Sequence, residues 1–218
     1  MTTDSRREAD PPDVIRHLVL LGDALQNLDL GAGEIESVLV PRPRNPWKMT
    51  VLQSLHSLQR GHVREIPEDA THVVISVEGA WAIEASGLLQ GGTHTISEAL
   101  ETLATAADEF ESILCGMIAA AQETGLPTIV CTLVPARYAR PEQHRIFSTA
   151  LAIFNDRVVR RAVAAGLPIV DLRLVCDEDA DYASATLLSR AGVRKAANVV
   201  RAALYEVSRS VERTRVYF

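Results

Sequence analysis

The stretch His17-Leu18-Val19-Leu20-Leu21-Gly22-Asp23-Ala24 constrains this chain more than any other. Four consecutive apolar residues, entered from a charged N-side and closed by Gly-Asp, read as a buried strand running into a sharp turn. In α/β sheets, ligands sit beyond the carboxyl ends of the strands. The turn at Gly22, Asp23 and Ala24 is therefore where chemistry is expected.

The rest of the chain supplies the partners such a strand needs. Strand one covers 15–22, and further strands are expected over 47–52, 71–77, 126–134 and 167–172, the third rich in β-branched residues. A long helix capped by Thr93 or Thr95 carries Ile96, Leu100, Leu103, Phe110, Leu114 and Met117 at helical spacing and stops at Gly125. A second helix runs from His144 to Ala165 with Ile146, Ala150, Ile153, Val158 and Ala162 on one face, ended by Gly166, and a last one runs from Ser189 to Val211. Shorter helices are read over 33–40 and, less distinctly, 55–64. Strands alternating with helices define a doubly wound α/β domain, a three-layer α/β/α sandwich with a five-stranded parallel sheet. Residues 1–13 are expected to be a disordered tail, 14–213 one domain and 214–218 a C-terminal tail. The 218 residues suffice to bury one core.

Charge and cysteine usage narrow the partners. The net charge of −6 and the scattered arginines argue against a nucleic-acid ligand. Cys115, Cys131 and Cys176 lie in apolar surroundings, with no CxxC or Cys/His spacing, which reads as reduced thiols in a cytoplasmic protein. Met1 to Asp10 is polar and precedes Pro11-Pro12, so no signal-peptide core is expected, and no apolar run reaches membrane-spanning length. His17, His62, His72, His94 and His144 show no metal-ligand spacing. No metal and no cofactor are expected. The partner is a small molecule, not nucleic acid or membrane, and an exposed apolar strip on the last helix would permit a homodimer.

Several segments together resemble the SGNH (GDSL-type) hydrolases of bacteria. The strand ending in Gly22-Asp23 resembles their first block, and Ile75-Ser76-Val77-Glu78-Gly79-Ala80-Trp81 their third. Phe154-Asn155-Asp156, Gly166-Leu167-Pro168, Asp171-Leu172-Arg173 and Ala180-Asp181-Tyr182-Ala183 also follow the family, from about His17 to Leu204. The resemblance implies a flavodoxin-like fold and a catalytic serine, an oxyanion-binding asparagine and an Asp/His pair. Here the serine position holds Ala24 and the asparagine position Ala80, followed by Trp81 in place of an aspartate. The Asp and His of the last block fall on Ser184 and Leu187, and the block II glycine near His56.

A serine hydrolase needs a nucleophile, a base and oxyanion donors. With all three replaced, the resemblance implies a hydrolase scaffold put to another use. Asp23, His56 and Glu78 are the candidate acid–base groups, and Ala24, Ala80, Trp81 and Leu187 the candidate pocket lining. A partly buried carboxylate has a raised pKa suited to proton transfer, with a histidine as its partner. Each residue also has a plainer reading: Asp23 as a turn residue, Glu78 as a solvated or Arg-paired carboxylate, His56 as a loop histidine and Trp81 as filling. Three functions follow: an acid–base enzyme catalysing cyclisation, isomerisation or dehydration; a catalytically inactive binding protein; or an esterase whose serine was engineered to Ala24.

Overall fold

The fold, taken from a computed structural model, is described for residues 17–22, 25, 48–52, 66–77, 83–84, 86–87, 95–207 and 216–218. Its centre is β1 (His17–Leu21), in which Leu18 to Leu21 have no exposed surface at all. Strands β2 (Lys48–Leu52) and β3 (His72–Ile75) flank it, followed outward by β4 (Thr128–Cys131), β5 (Ile169–Val170) and β6 (Val216–Tyr217). The order is β2-β1-β3-β4-β5-β6 and every pairing is parallel. A parallel strand in the middle of such a sheet is covered on both faces, which is why β1 is an unbroken apolar run and not an alternating one.

Two helices cover one face of the sheet and one long helix the other. Helix α1 (Ile96–Glu123) opens with a reciprocal cap: Thr95 Oγ1 accepts from the Glu98 N–H and the Glu98 carboxylate accepts from the Thr95 N–H, both at 3.1 Å. Helix α2 (Pro141–Ala164) opens on a proline, whose missing N–H costs nothing in the first turn. The two pack through Phe110 and Phe154, whose ring centroids lie 5.2 Å apart. They are also tied by Glu111, which receives Arg157 and Arg161 from the facing helix. Helix α3 (Leu172–Val175) is a single turn capped by Asp171, and α4 (Arg190–Val207) closes the opposite face with Val193, Ala196, Ala197, Val200 and Leu204.

The expected doubly wound α/β architecture is present, with differences in detail. The sheet has six strands where five were expected, because Val216 and Tyr217 of the supposed tail pair with β5 and the Asp171 N–H donates to the Tyr217 carbonyl at 2.7 Å. A two-residue edge strand carries no periodicity to read. The expected strand over 167–172 ends early, since Asp171 turns the chain into α3. Ile96 and Leu100, expected on the buried face of α1, are 81% and 58% exposed. A 28-residue helix spans about 42 Å, while the four-residue strands beneath it cover about 13 Å, so its first two turns overhang the sheet. On α2, Ala150, Val158 and Ala162 of the expected face are buried and Ile153 partly so, joined by Phe147, Leu151 and Phe154, while Ile146 is 43% exposed. The last helix is described from Arg190 to Val207, the expected continuation to Val211 lying outside the described residues, and Tyr205 is its one large exposed apolar side chain among them. The N-terminal tail and the expected helices over 33–40 and 55–64 lie outside the described residues.

Candidate functional site

The strand order reverses direction between β1 and β3, and in open α/β sheets this switch point opens the crevice that ligands enter. The two strand ends are bound closely there. The Ser76 N–H donates to the Leu21 carbonyl at 2.8 Å, and the Gly22 N–H to the Leu52 carbonyl at 3.2 Å. Gly22 has φ +100°, and a Cβ on it would stand 2.3 Å from the Ser76 carbonyl oxygen. Only glycine fits that place, which explains the glycine of the Gly-Asp turn. In the chain, Asp23 and Ala24 follow Gly22, and Glu78, Ala80 and Trp81 follow Val77. These five candidates, with His56, lie outside the described residues.

Leu187 is the one candidate that the structure describes. Tyr182 and Leu188 form an antiparallel bridge, and between them the chain closes on itself. The Leu187 carbonyl accepts from the N–H groups of Ala183 (2.8 Å) and Ser184 (3.3 Å), while Ser184 Oγ accepts from the Leu187 N–H at 3.3 Å. The positions where the resemblance places a carboxylate and an imidazole thus hold a hydroxyl tied to backbone and a half-buried hydrocarbon side chain. Neither can take a proton from a nucleophile.

The ground under this loop is rigid. Asn155, buried in α2, holds both backbone groups of Leu133, accepting from its N–H at 2.8 Å and donating to its carbonyl at 3.5 Å. Thr132 Oγ1 donates to Asp171 (3.0 Å) and accepts from the Leu172 N–H (2.8 Å). Burial pushes the Asp171 carboxyl upward, but hydrogen bonds from Arg173 and Thr132 outweigh it and hold the group below its ordinary value. Buried Asp181 pairs with Lys195 at 3.0 Å, and with Glu178 it pushes that ammonium up to about 12. Ser76 Oγ is buried without a well-formed hydrogen bond. It lies beside Cys131, whose thiol burial pushes up to about 12. Cys176 is buried and raised likewise, Cys115 is half-buried, and all three cysteines are free.

A cleft of about 540 Å³ opens between the segment after β4 and this last loop, lined by Arg137, Tyr138, His144, Asp179, Tyr182 and Ser184 among others. The Arg137 N–H donates to the Ala185 carbonyl at 2.7 Å, which fixes the two walls to each other. Tyr138 Oη donates to Glu84 at 3.0 Å, and its phenol is pushed up to about 12 by burial and by that carboxylate. Tyr182 Oη donates to the Cys176 carbonyl at 2.8 Å, and its phenol is likewise raised, chiefly by burial. The Arg137 guanidinium lies over the Tyr182 ring, 5.4 Å from the centroid. The sequence offered little toward this cleft: His144 stood out only as a histidine without a metal partner, and Arg137, Tyr138 and Asp179 carried no motif. Among the described residues, no cluster of three or more His, Cys, Asp or Glu could hold a metal, and no helix is long and apolar enough to cross a membrane.

The architecture is that of the α/β/α proteins whose sites lie at the carboxyl edge of a parallel sheet in the order 2-1-3-4-5. Within that class it is the SGNH/GDSL-type fold. A protein from Slackia heliotrinireducens assigned to the SGNH hydrolases matches with TM-score 0.57 at 13% identity, over 87% of this chain and 99% of its own. The extracellular lipase of Streptomyces rimosus matches with TM-score 0.59 at 12% identity, over 88% and 99%. The lipase/acylhydrolase of Enterococcus faecalis matches with TM-score 0.53 at 16% identity, over 89% and 96%. No protein-family profile and no curated protein matches the sequence.

Proposed function

We propose that this chain is an SGNH-fold protein that acts on a small molecule by acid–base chemistry, without an acyl-enzyme intermediate, in the cytoplasm. Cyclisation, isomerisation or dehydration are the reactions that need only positioned proton donors and acceptors. Asp23, His56 and Glu78 are the groups assigned to proton transfer, with Ala24, Ala80, Trp81 and Leu187 lining the pocket. What supports setting ester hydrolysis aside is Leu187: the resemblance puts the family's base at this residue, and the loop there is closed by hydrogen bonds of Ala183, Ser184 and Leu187. A chain in which Ala24 alone had replaced a serine would keep that base. A binding protein without turnover is the remaining competitor.

Purified protein incubated with a metabolite extract from a host strain lacking the gene, followed by mass spectrometry, separates these readings. The enzyme reading expects one feature consumed in large excess over protein, with its mass unchanged or altered by one water. Depletion of a feature only to the protein's own concentration, with recovery on denaturation, overturns turnover and leaves binding.

A further inference from the structure

We propose that Thr50 is a covalent acylation site, its hydroxyl activated by His17 and Asp69 to accept a short acyl group from a small thioester. The site lies at the amino end of the sheet, away from the carboxyl edge, and stands independently of the function proposed there.

Three side chains from separate segments form one hydrogen-bond chain. Asp69 Oδ1 meets His17 Nδ1 at 2.9 Å, and His17 Nε2 meets Thr50 Oγ1 at 2.8 Å. Lys48 donates to the other Asp69 oxygen at 3.1 Å, and this bond holds the carboxyl below its ordinary value. The carboxylate is therefore ionised at neutral pH and accepts the Nδ1 proton, which leaves Nε2 to accept from the Thr50 hydroxyl. A nucleophile, a base and a group that orients the base stand in the order that acyl transfer uses. The base is held in place. Thr71 Oγ1 accepts from the His17 N–H and donates to its carbonyl, both at 3.0 Å, and the imidazole is buried. The turn that carries Asp69 is closed by the Ala70 N–H on the Pro67 carbonyl at 2.9 Å. Thr50 itself is half-buried on β2, the outermost strand, and the Lys48 and Asp69 side chains of the same group are exposed.

The step needs no further reactant. Thr50 Oγ1 attacks the thioester carbonyl carbon while His17 Nε2 takes the hydroxyl proton. The C–S bond then breaks and the proton passes from Nε2 to the departing sulfur, leaving an O-acyl threonine and a free thiol. The surroundings select the donor. Lys48 shares a face of β2 with Thr50, two residues away, and brings a positive charge toward the developing oxyanion. One ammonium already bonded to Asp69 is a modest oxyanion site, so the leaving group has to be a good one. A thiol, with a pKa of about 8.5, leaves far more readily than an alcohol. A half-buried hydroxyl beside a methyl group admits a short acyl chain sooner than a long one.

The test is incubation of the full chain with the acetyl thioester of N-acetylcysteamine, followed by peptide mass mapping before and after neutral hydroxylamine, which releases oxygen esters and leaves lysine amides in place. The expected result is a hydroxylamine-labile acetyl group on Thr50, kept in Thr50→Ser and lost from that peptide in Thr50→Val. His17→Gln is expected to slow labelling by about a hundredfold or more. Asp69→Asn is expected to slow it by about tenfold or more, with Asp69→Glu recovering part of the loss. Asp69 is exposed, so its variants read the same chain where His17→Gln fails to fold. No labile acetyl at Thr50, acetyl found only on amines, or an unchanged rate at Thr50 in Asp69→Asn would each overturn the proposal. The readout is acetyl on the protein and needs no turnover in the metabolite extract, so failure here leaves the proposed function untouched.

Discussion

The two ends of the sheet treat their polar groups differently. At the amino end, His17 is 2% exposed, and both ring nitrogens are used: Nδ1 meets Asp69 at 2.9 Å and Nε2 meets Thr50 Oγ1 at 2.8 Å. Asp69 also receives Lys48 at 3.1 Å, and this hydrogen bond is the main reason its carboxyl lies below the ordinary value. Thr71 Oγ1 exchanges hydrogen bonds with the backbone of His17. At the carboxyl end, an inner layer of Asn155, Thr132 and Asp171 is equally well paired. The outer layer is less complete: the buried Arg137 Nε has no hydrogen-bond partner, only the Asp179 carboxylate at 3.5 Å. Buried polar groups that satisfy one another hold a fold together, while one left without a partner costs stability.

The comparison breaks if the carboxyl end owes nothing to its inner layer, and the largest effect tests that. Asp171→Ala removes a buried acceptor shared by Thr132, Arg173 and the α3 cap. A loss of about 3 kcal/mol in urea unfolding is expected. A second measurement uses the amino end and pH. Burial lowers His72, the first residue of β3, from 6.5 to about 4. Between those values the unfolded chain takes up a proton that the folded chain refuses. Stability therefore falls as pH drops through 6.5 toward 4, by about 3 kcal/mol at most, and levels off below. His72→Val is expected to lack this step, so the difference between the two proteins at pH 7 and pH 4 isolates it.

Smaller effects sharpen the contrast. His17→Leu strands Asp69 and Thr50 and is expected to cost about 2 kcal/mol in urea unfolding. No loss would show that the pairing at the amino end contributes nothing. The smallest expected effect is none: Ala24→Ser leaves ester hydrolysis at background, because catalytic residues of a triad act as a unit and Leu187 supplies no base. A rise in p-nitrophenyl acetate turnover on that change would restore the hydrolase reading.

The long, periodic elements were legible in the residues. The Leu18–Leu21 run, a threonine cap at Thr93 or Thr95, and the stops at Gly125 and Gly166 each follow from local chemistry that needs no partner to be recognised, while the structure chose Thr95 and added Glu98. The exposure of Ile146 on α2 could not be read, since Ile146 and Phe147 are both apolar and the packing decides which is buried. Of the candidate site, Leu187 is the one residue described, and its hydrocarbon side chain could be read directly from the sequence. The cleft could not be read, because Arg137 and His144 meet Asp179 and Ser184 only through the crossing of two distant segments.

The sequence by itself determined an α/β chain built around the buried strand β1. It did so because a buried strand, a capped helix and a glycine stop are properties of a few neighbouring residues. Tertiary structure alone decided that Val216 and Tyr217 form a sixth strand, that the first turns of α1 overhang the sheet, and that the Arg137 Nε is buried without a hydrogen-bond partner. Each of these depends on which surfaces remain uncovered once the layers have packed, and burial and hydrogen-bond satisfaction are fixed only when distant segments meet.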